Sequence, residues 1–197
     1  MRFDTIRIDH QAIFELVDSR SSVLDLGCGN GDLLYLLIKE KQVRGQGIDI
    51  DEKAIYRSVE KGLNVLHGDI DSGLSEYRDN SFDYVILNQS LQQVRRLETV
   101  LDHALRVGRN VIVGFPNFAY YKARLQLFFL GRAPVTSSLP YTWYESPNVH
   151  FFSIRDFLDY CRKRSIKVRR ALYLGEGLRI PVFANLFATT GIFLISR

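Results

Sequence analysis

The apolar stretch Val23-Leu24-Asp25-Leu26 runs straight into Gly27-Cys28-Gly29-Asn30-Gly31, and Asp32-Leu33-Leu34-Tyr35-Leu36-Leu37-Ile38 follows at once. A buried strand that breaks on three alternate glycines and restarts as a helix constrains this chain more than any overall property does. Glycines at such a turn let the backbone come close to a ligand, and the start of the helix favours a negative group there. The alternation then repeats. Strands are expected at 43–50, 63–67, 82–88 and 110–115, with helices at 52–61, closed by Gly62, and 97–107, closed by Gly108. Short buried strands alternating with helices predict an α/β fold: a doubly wound, mostly parallel sheet of Rossmann-like type, with ligands at the carboxyl ends of its strands.

Before the first strand, Phe3, Ile6, Ile13 and Val17 stand at helical spacing and predict a helix over 4–18. After Pro116 the pattern changes. Residues 117–152 read as an aromatic-rich insertion after the fifth strand, with one helix over 118–130 and then a long ordered loop. Ser153 and Asp156 have capping-box spacing and mark the next helix. The uncharged run 180–196 contains Pro181, Asn185 and Gly191, so it reads as a helix plus a buried strand rather than a membrane span. With 197 residues and no internal repeat or linker, the chain is expected to form one domain over 1–197.

A composition of 46% hydrophobic and 24% charged residues excludes disorder and collagen-like repeats. Cys28 and Cys161 lie too far apart to suggest a metal framework or a disulfide scaffold, and the charged first 30 residues do not read as a signal peptide. A cytoplasmic protein without a membrane partner is expected. Charge is unevenly spread: residues 1–119 hold fourteen Lys/Arg against eighteen Asp/Glu, whereas 120–170 hold ten against three. The basic cluster Arg162-Lys163-Arg164 with Lys167, Arg169 and Arg170 reads as a solvated helix end and strand edge. Nucleic-acid binding is disfavoured, because stacking aromatics and basic residues are separated along the chain instead of interleaved.

The dinucleotide fingerprint G-x-G-x-x-G needs glycine at its sixth position, where this chain has Asp32, and Asp25 stands two residues before the first glycine. This D-x-G-x-G-x-G form suits a ligand with an amino-acid tail: backbone N–H groups of the turn can face a carboxylate while Asp25 accommodates an ammonium. S-adenosylmethionine is such a ligand, as is its product S-adenosylhomocysteine. The candidate residues at the turn are Asp25, Gly27, Cys28, Gly29 and Gly31. Asp49 ends the second strand, 22 residues after Gly27, where it can accept both ribose hydroxyls. Asp69 follows the third strand and can accept the adenine amino group, with Ile50 and Ile70 adjoining; Asp71 reads as a turn former. Asn88 and Gln89 end the fourth strand, where groups beside a reactive methyl belong. No N-P-P-Y motif of amino-group methylases is present, and neither cysteine is placed as the nucleophile of a pyrimidine C5 methylase. His10 and His103 fit helix surfaces and His67 a strand end, which leaves His150 as the functional candidate. Spacing assigns no catalytic residue.

The run Val23 to Gly29 with Asp49 and Asp69 resembles class I S-adenosylmethionine (SAM)-dependent methyltransferases. Within that superfamily, Leu91-Gln92-Gln93-Val94-Arg95-Arg96, Phe115-Pro116-Asn117-Phe118, Arg124-Leu125-Gln126-Leu127, Gly131-Arg132-Ala133-Pro134-Val135-Thr136, Leu139-Pro140-Tyr141-Thr142-Trp143-Tyr144 and Pro147-Asn148-Val149-His150 are similar to the methionine-biosynthesis MetW family. Tyr121 stands where relatives often carry Trp, and Ala133 where Met is common. The resemblance implies a methyltransferase fold that serves methionine synthesis as an accessory of homoserine O-acyltransferase. An enzyme that methylates a small molecule is the alternative. Gln89, Arg124, Arg132, Tyr141, Trp143 and His150 are the candidate substrate or partner contacts, because the insertion has the Tyr, Trp and Arg content of a binding surface.

Overall fold

The computed structural model describes residues 6–197. Helix α1 (Ile8–Leu16) leads into β1 (Ser22–Leu26), then α2 (Asp32–Lys41), β2 (Arg44–Asp49), α3 (Glu52–Glu60), β3 (Val65–His67), β4 (Phe82–Asn88), α4 (Leu97–Val107) and β5 (Gly108–Pro116). The insertion carries α5 (Tyr121–Leu125), and the chain ends with α6 (Ile154–Lys163), β6 (Lys167–Leu174), α7 (Ala184–Phe187) and β7 (Thr190–Ser196). The seven strands lie in the order β3-β2-β1-β4-β5-β7-β6, parallel except for β7, which runs against both its neighbours. This is the expected doubly wound α/β sheet of the Rossmann-like class I methyltransferase type.

Burial on both faces explains the strand sequences. Side chains alternate across a strand, so Leu24, Val85, Leu87, Val111 and Val113 pack with α4 and α6 on one face. Val23, Ile86 and Ile112 meet Ile13 of α1 and Leu34 and Leu37 of α2 on the other. The expected helix over 4–18 is shorter, and Phe3 lies outside the described residues. Gly62 closes α3 with φ +77, as its position predicts. Gly108 does not close α4 in that way. It is already the first residue of β5, with φ −99 and ψ 138, and a Cβ there would come within 2.7 Å of Val85 Cγ2. Close packing on β4, and not a left-handed turn, is what this glycine supplies.

The helix expected over 118–130 is α5 continued by one π-helical turn over Gln126–Leu130, and Gly131 ends it at φ +59. The expected capping box is present: Ser153 Oγ accepts from Asp156 N at 3.2 Å, and Asp156 Oδ2 accepts from Ser153 N at 2.8 Å. The run 180–196 is α7 plus the buried strand β7, and no helix among the described residues is long and apolar enough to cross a membrane.

One buried side chain joins the insertion to the sheet. Asn117 follows β5, and its Nδ2 donates to the carbonyls of Ala188 (2.8 Å) and Asn185 (3.2 Å), while its Oδ1 accepts from Ala119 N (3.2 Å) and Ile154 N (3.3 Å). The start of the insertion, the start of α6 and the end of α7 therefore share one amide. Asn117→Ala leaves several of these buried backbone groups without a partner, at about 1–3 kcal/mol for each group that water cannot reach. Urea denaturation should show a loss of about 2–4 kcal/mol; a loss below about 1 kcal/mol would show that the junction is held by other means.

Candidate functional site

The glycine turn after β1 is shaped by what packs against it. Gly27, Gly29 and Gly31 all have positive φ (74°, 54° and 72°). A Cβ on Gly27 would lie 2.8 Å from Ser90 Cβ, and one on Gly31 would lie 2.3 Å from Leu63 Cδ1. Asp49 fixes the turn from β2: its Oδ2 accepts from Gly29 N at 2.6 Å and its Oδ1 from Asp51 N at 2.9 Å. Each carboxylate oxygen keeps a further lone pair for a ligand hydroxyl. The amides of Gly27, Cys28, Gly29 and Gly31 have no such spare capacity. Gly27 N and Cys28 N both donate to Ile48 O (2.8 and 3.1 Å), Gly31 N to Cys28 O (3.0 Å), and Gly29 N to Asp49. The expectation that these N–H groups face a carboxylate is therefore corrected, since the turn uses them to hold its own shape.

Around this turn the carboxyl ends of β1, β2 and β4 enclose a cleft of about 910 Å³. Asp25, Gly27, Cys28, Gly29, Asp49, Ile50, Asp69, Ile70, Asn88 and Gln89 all line it, so the structure gathers nine-tenths of the expected cofactor set and also Gln89. Gly31 is set back from the wall as the N-terminal cap of α2. Asp25 is buried, and burial together with the nearby Asp49 charge pushes its carboxyl up to about 7. Ile50 is 63% exposed beside Asp49, an apolar face turned to the cleft where a flat base could rest. Asp69 Oδ1 accepts from Asp71 N at 2.9 Å. Asp71 is the turn former expected of it, accepting from Arg95 N and Arg96 N at 2.8 Å each. Burial pushes the Cys28 thiol up, which leaves it a packing group and not a nucleophile.

Three residues of the α1 end are absent from the sequence-based set. Asp9 is buried and is held by Arg7 (Nη2 to Oδ2, 2.6 Å; Nε to Oδ1, 3.1 Å) and by Asn88 Nδ2 (3.0 Å). Burial opposes its charge, but Asn88, His10 and Arg7 outweigh that and keep its carboxyl below the usual range. His10 is only 8% exposed and, with Arg7, lines the cleft; the expectation of a helix-surface histidine is wrong here. Burial lowers its basicity against the pull of Asp9 and Asp32. Arg7 is the extended N-cap residue of α1 and His10 lies in its first turn, so their shared place on the cleft follows from how the chain enters the helix and not from a spacing that the sequence displays. Beside them Asn88 Oδ1 and Ser90 Oγ are buried without a hydrogen-bond partner.

The insertion forms a separate, mostly apolar cavity of about 400 Å³, lined by Arg132, Tyr141 and Trp143 together with Leu127, Pro134 and Phe151. On its outer side Trp143 (78% exposed) and Phe128 (81%) stand in solvent, each packed edge-to-face on its neighbour, Tyr144 and Phe129. Two expected contacts lie elsewhere. Arg124 donates through Nε to Ala119 O (2.6 Å) and through Nη2 to Asn185 O (3.3 Å), holding backbone beside α7. His150 lines neither the cleft nor this cavity: its N and Val149 N donate to Gln92 O (3.0 and 2.9 Å), tying the insertion to the loop after β4, and its Nε2 is buried without a partner.

Among solved structures, a SAM-dependent methyltransferase from Archaeoglobus fulgidus superposes with a TM-score of 0.71 over 96% of this chain and 91% of that one, at 13% identity, a likeness of fold. The demethylmenaquinone methyltransferase of Oceanobacillus iheyensis is 25% identical over 148 residues, covering 64% of this chain and 61% of that protein. The bifunctional methionine biosynthesis protein MetXA/MetW of Rhodopirellula baltica is 32% identical over 206 residues, covering 98% of this chain; the chain spans about a third (33%) of that protein's length. The family model of the methionine biosynthesis protein MetW matches residues 7–195, from the Arg7 that grips Asp9 to the final strand. Sheet order, glycine turn and insertion thus agree with one assignment, and this chain belongs to the MetW family.

Proposed function

We propose that the protein binds SAM or S-adenosylhomocysteine in the cleft at the β1, β2 and β4 ends, and that it acts in methionine biosynthesis as an accessory of homoserine O-acyltransferase, docking through the insertion. The nucleoside part of the reading rests on three carboxylates at successive strand ends. Asp49 is oriented by Gly29 N and Asp51 N toward ribose hydroxyls, Asp69 lies where an adenine amino group would reach, and Ile50 and Ile70 flank the base. Asp25, whose carboxyl burial and the Asp49 charge push up to about 7, becomes the counter-charge of the ligand's ammonium.

The docking part is carried by one observation: large aromatic side chains of the insertion stand exposed in pairs instead of filling the core. Exposed aromatics with an arginine on the rim have the make-up of an interface centre. The MetXA/MetW relative, in which a MetW part is joined with a MetXA part, supports an acyltransferase as the occupant. A second reading, methyl transfer to a small molecule, is favoured by the polar residues Asn88, Gln89 and Ser90 that line the cleft where β4 ends.

The ammonium contact makes binding pH-dependent with a definite sign. Asp25 is protonated below about 7 in the empty cleft, so a ligand that needs the carboxylate must expel that proton. Affinity for S-adenosylhomocysteine should rise by up to about tenfold per unit from about pH 5.5 and level off above about 7. Calorimetry checks it: Asp25→Asn should flatten the profile, and a flat wild-type profile would remove Asp25 from the ammonium site.

For docking, Trp143→Ala and Phe128→Ala should change stability by less than about 0.5 kcal/mol. The same changes should weaken association with homoserine O-acyltransferase by about 2 kcal/mol or more, roughly thirtyfold, if either residue is a hot spot. Co-purification and the acylation rate with and without SAM provide the measurement. If the purified proteins neither associate nor alter that rate, the accessory role is wrong and methyl transfer becomes the working reading.

A further inference from the structure

The cavity in the insertion is held open by hydrogen bonds on both sides. Gln126 takes both backbone groups of Val135 with its side-chain amide: Nε2 donates to Val135 O and Oε1 accepts from Val135 N, each at 2.9 Å. This two-point bond closes the loop 127–134 as a bonded residue pair closes an antiparallel ladder. Just beyond, Thr136 and Leu139 exchange backbone N–H to O bonds (3.0 and 3.1 Å), and Glu176, outside the insertion, accepts from Lys122 Nζ (3.1 Å) and Ser137 Oγ (3.0 Å). The opposite wall is tied to the sheet. Phe118 follows the buried Asn117, its N donates to Phe152 O (3.2 Å), and its ring lies at a tilt against Phe151 with centroids 5.3 Å apart. A loop clasped in this way does not settle into the space it encloses.

We propose that this cavity is the anchor pocket of the docking surface: it receives one large apolar side chain of the acyltransferase, beside which a carboxylate of the same partner pairs with Arg132. The inference rests on the docking reading given under the proposed function. At about 400 Å³ the cavity falls within the ~300–1,000 Å³ of pockets that take small ligands, which is room for a large side chain. Leu127, Pro134 and Leu139 give it apolar walls. Trp143 belongs both to its lining and to the exposed aromatic pair with Tyr144, so the pocket opens within the surface that the aromatics form. A fixed apolar hole ringed by side chains that exclude water is the setting in which one partner residue carries much of the affinity.

Charge decides what accompanies the apolar group. Among the described residues that line the cavity, Arg132 alone carries a charge. The other charged side chains of the insertion are engaged: Lys122 on Glu176, Arg124 on the carbonyls of Ala119 and Asn185, and Glu145 with Thr142 Oγ1. The Arg132 guanidinium has no hydrogen bond or ion pair among the described residues. A planar fork of five donors beside an apolar hole selects a carboxylate, which it can take with two parallel bonds. A second copy of this chain does not suit the site, because residues 120–170 hold ten Lys/Arg against three Asp/Glu and two such faces repel.

Trp143 is the chain's one tryptophan and lines the cavity, so its emission reports occupancy directly. The probe is 4-phenylbutyrate, an apolar group that carries a carboxylate; 4-phenylbutylamine has the same apolar part with the opposite charge. Titrated into the full-length wild type, the anion should shift Trp143 emission saturably and bind roughly fivefold more tightly than the amine. Arg132→Gln should bring the two affinities together. With the partner itself, Ala133→Phe, which adds a ring at an exposed position of the cavity wall, and Arg132→Glu should each weaken association with the acyltransferase roughly tenfold or more, at unchanged thermal midpoints. Emission that answers anion and amine equally, or neither, overturns the proposal, and so does wild-type association in both Ala133→Phe and Arg132→Glu. If Trp143→Ala and Phe128→Ala weaken association while those two variants do not, the docking surface stands and the anchor pocket falls. If the wild-type proteins do not associate at all, the docking reading fails first and this inference fails with it, and an anion bound all the same would make the cavity a small-molecule site.

Discussion

The hydrogen bond from Gly29 N to Asp49 Oδ2 is the contact on which the geometry of the cleft depends. It ties the turn after β1 to the end of β2, and the Ile48 carbonyl, one residue earlier, takes the two preceding amides. With these bonds in place the glycines can hold positive φ values, α2 can begin where it does, and Ser90 can approach from β4 without a Cβ in its way. A carboxylate in this position serves two purposes: its first lone pairs build the loop, and its remaining ones face the open side.

Asn117 plays the comparable part for the insertion. By satisfying backbone groups before α5, at the start of α6 and at the end of α7, it lets a long aromatic segment leave the sheet and return without burying unpaired amides. The insertion is anchored a second time where Val149 N and His150 N share the Gln92 carbonyl, in the loop that continues β4 past Asn88. Cleft and aromatic surface are therefore built on adjacent stretches of one strand end.

Local patterns in the sequence were enough to read the strands, the glycine turn, the capping box at Ser153 and the acidic residues at strand ends, because each depends on a few consecutive residues. What stayed hidden depends on partners far along the chain. The engagement of Gly29 N is set by a residue twenty positions away, and the burial of His10 by the face of α1 that meets the strand ends. Gly108 shows the same limit at short range: a glycine after a helix looks like a left-handed cap, yet its reason is Val85 on the neighbouring strand. Arg124 and His150 carried the chemistry of contact residues, but carbonyls within the fold claim the guanidinium of the first and the backbone of the second. The aromatic surface was legible as composition, and the structure adds that Phe128 and Trp143 point outward.

The basic cluster acquires a plain meaning from its place at the rim of the sheet. Arg162 and Lys163 lie in the last turn of α6 and Arg164 caps it, bonded to Asp102 at 2.8 Å. Lys167, Arg169 and Arg170 lie exposed on β6, the outermost strand, whose register slips between Val168 and Arg170. An unpaired strand edge is a template for another chain, and closely spaced lysine and arginine side chains, with an irregularity in the ladder, make that template repulsive and crooked. The opposite edge, β3, is only three residues long. With one rim charged and the other too short to nucleate a ladder, the sheet resists growing from molecule to molecule into aggregates, so apolar aromatics can stay exposed on the insertion without an open strand beside them to recruit.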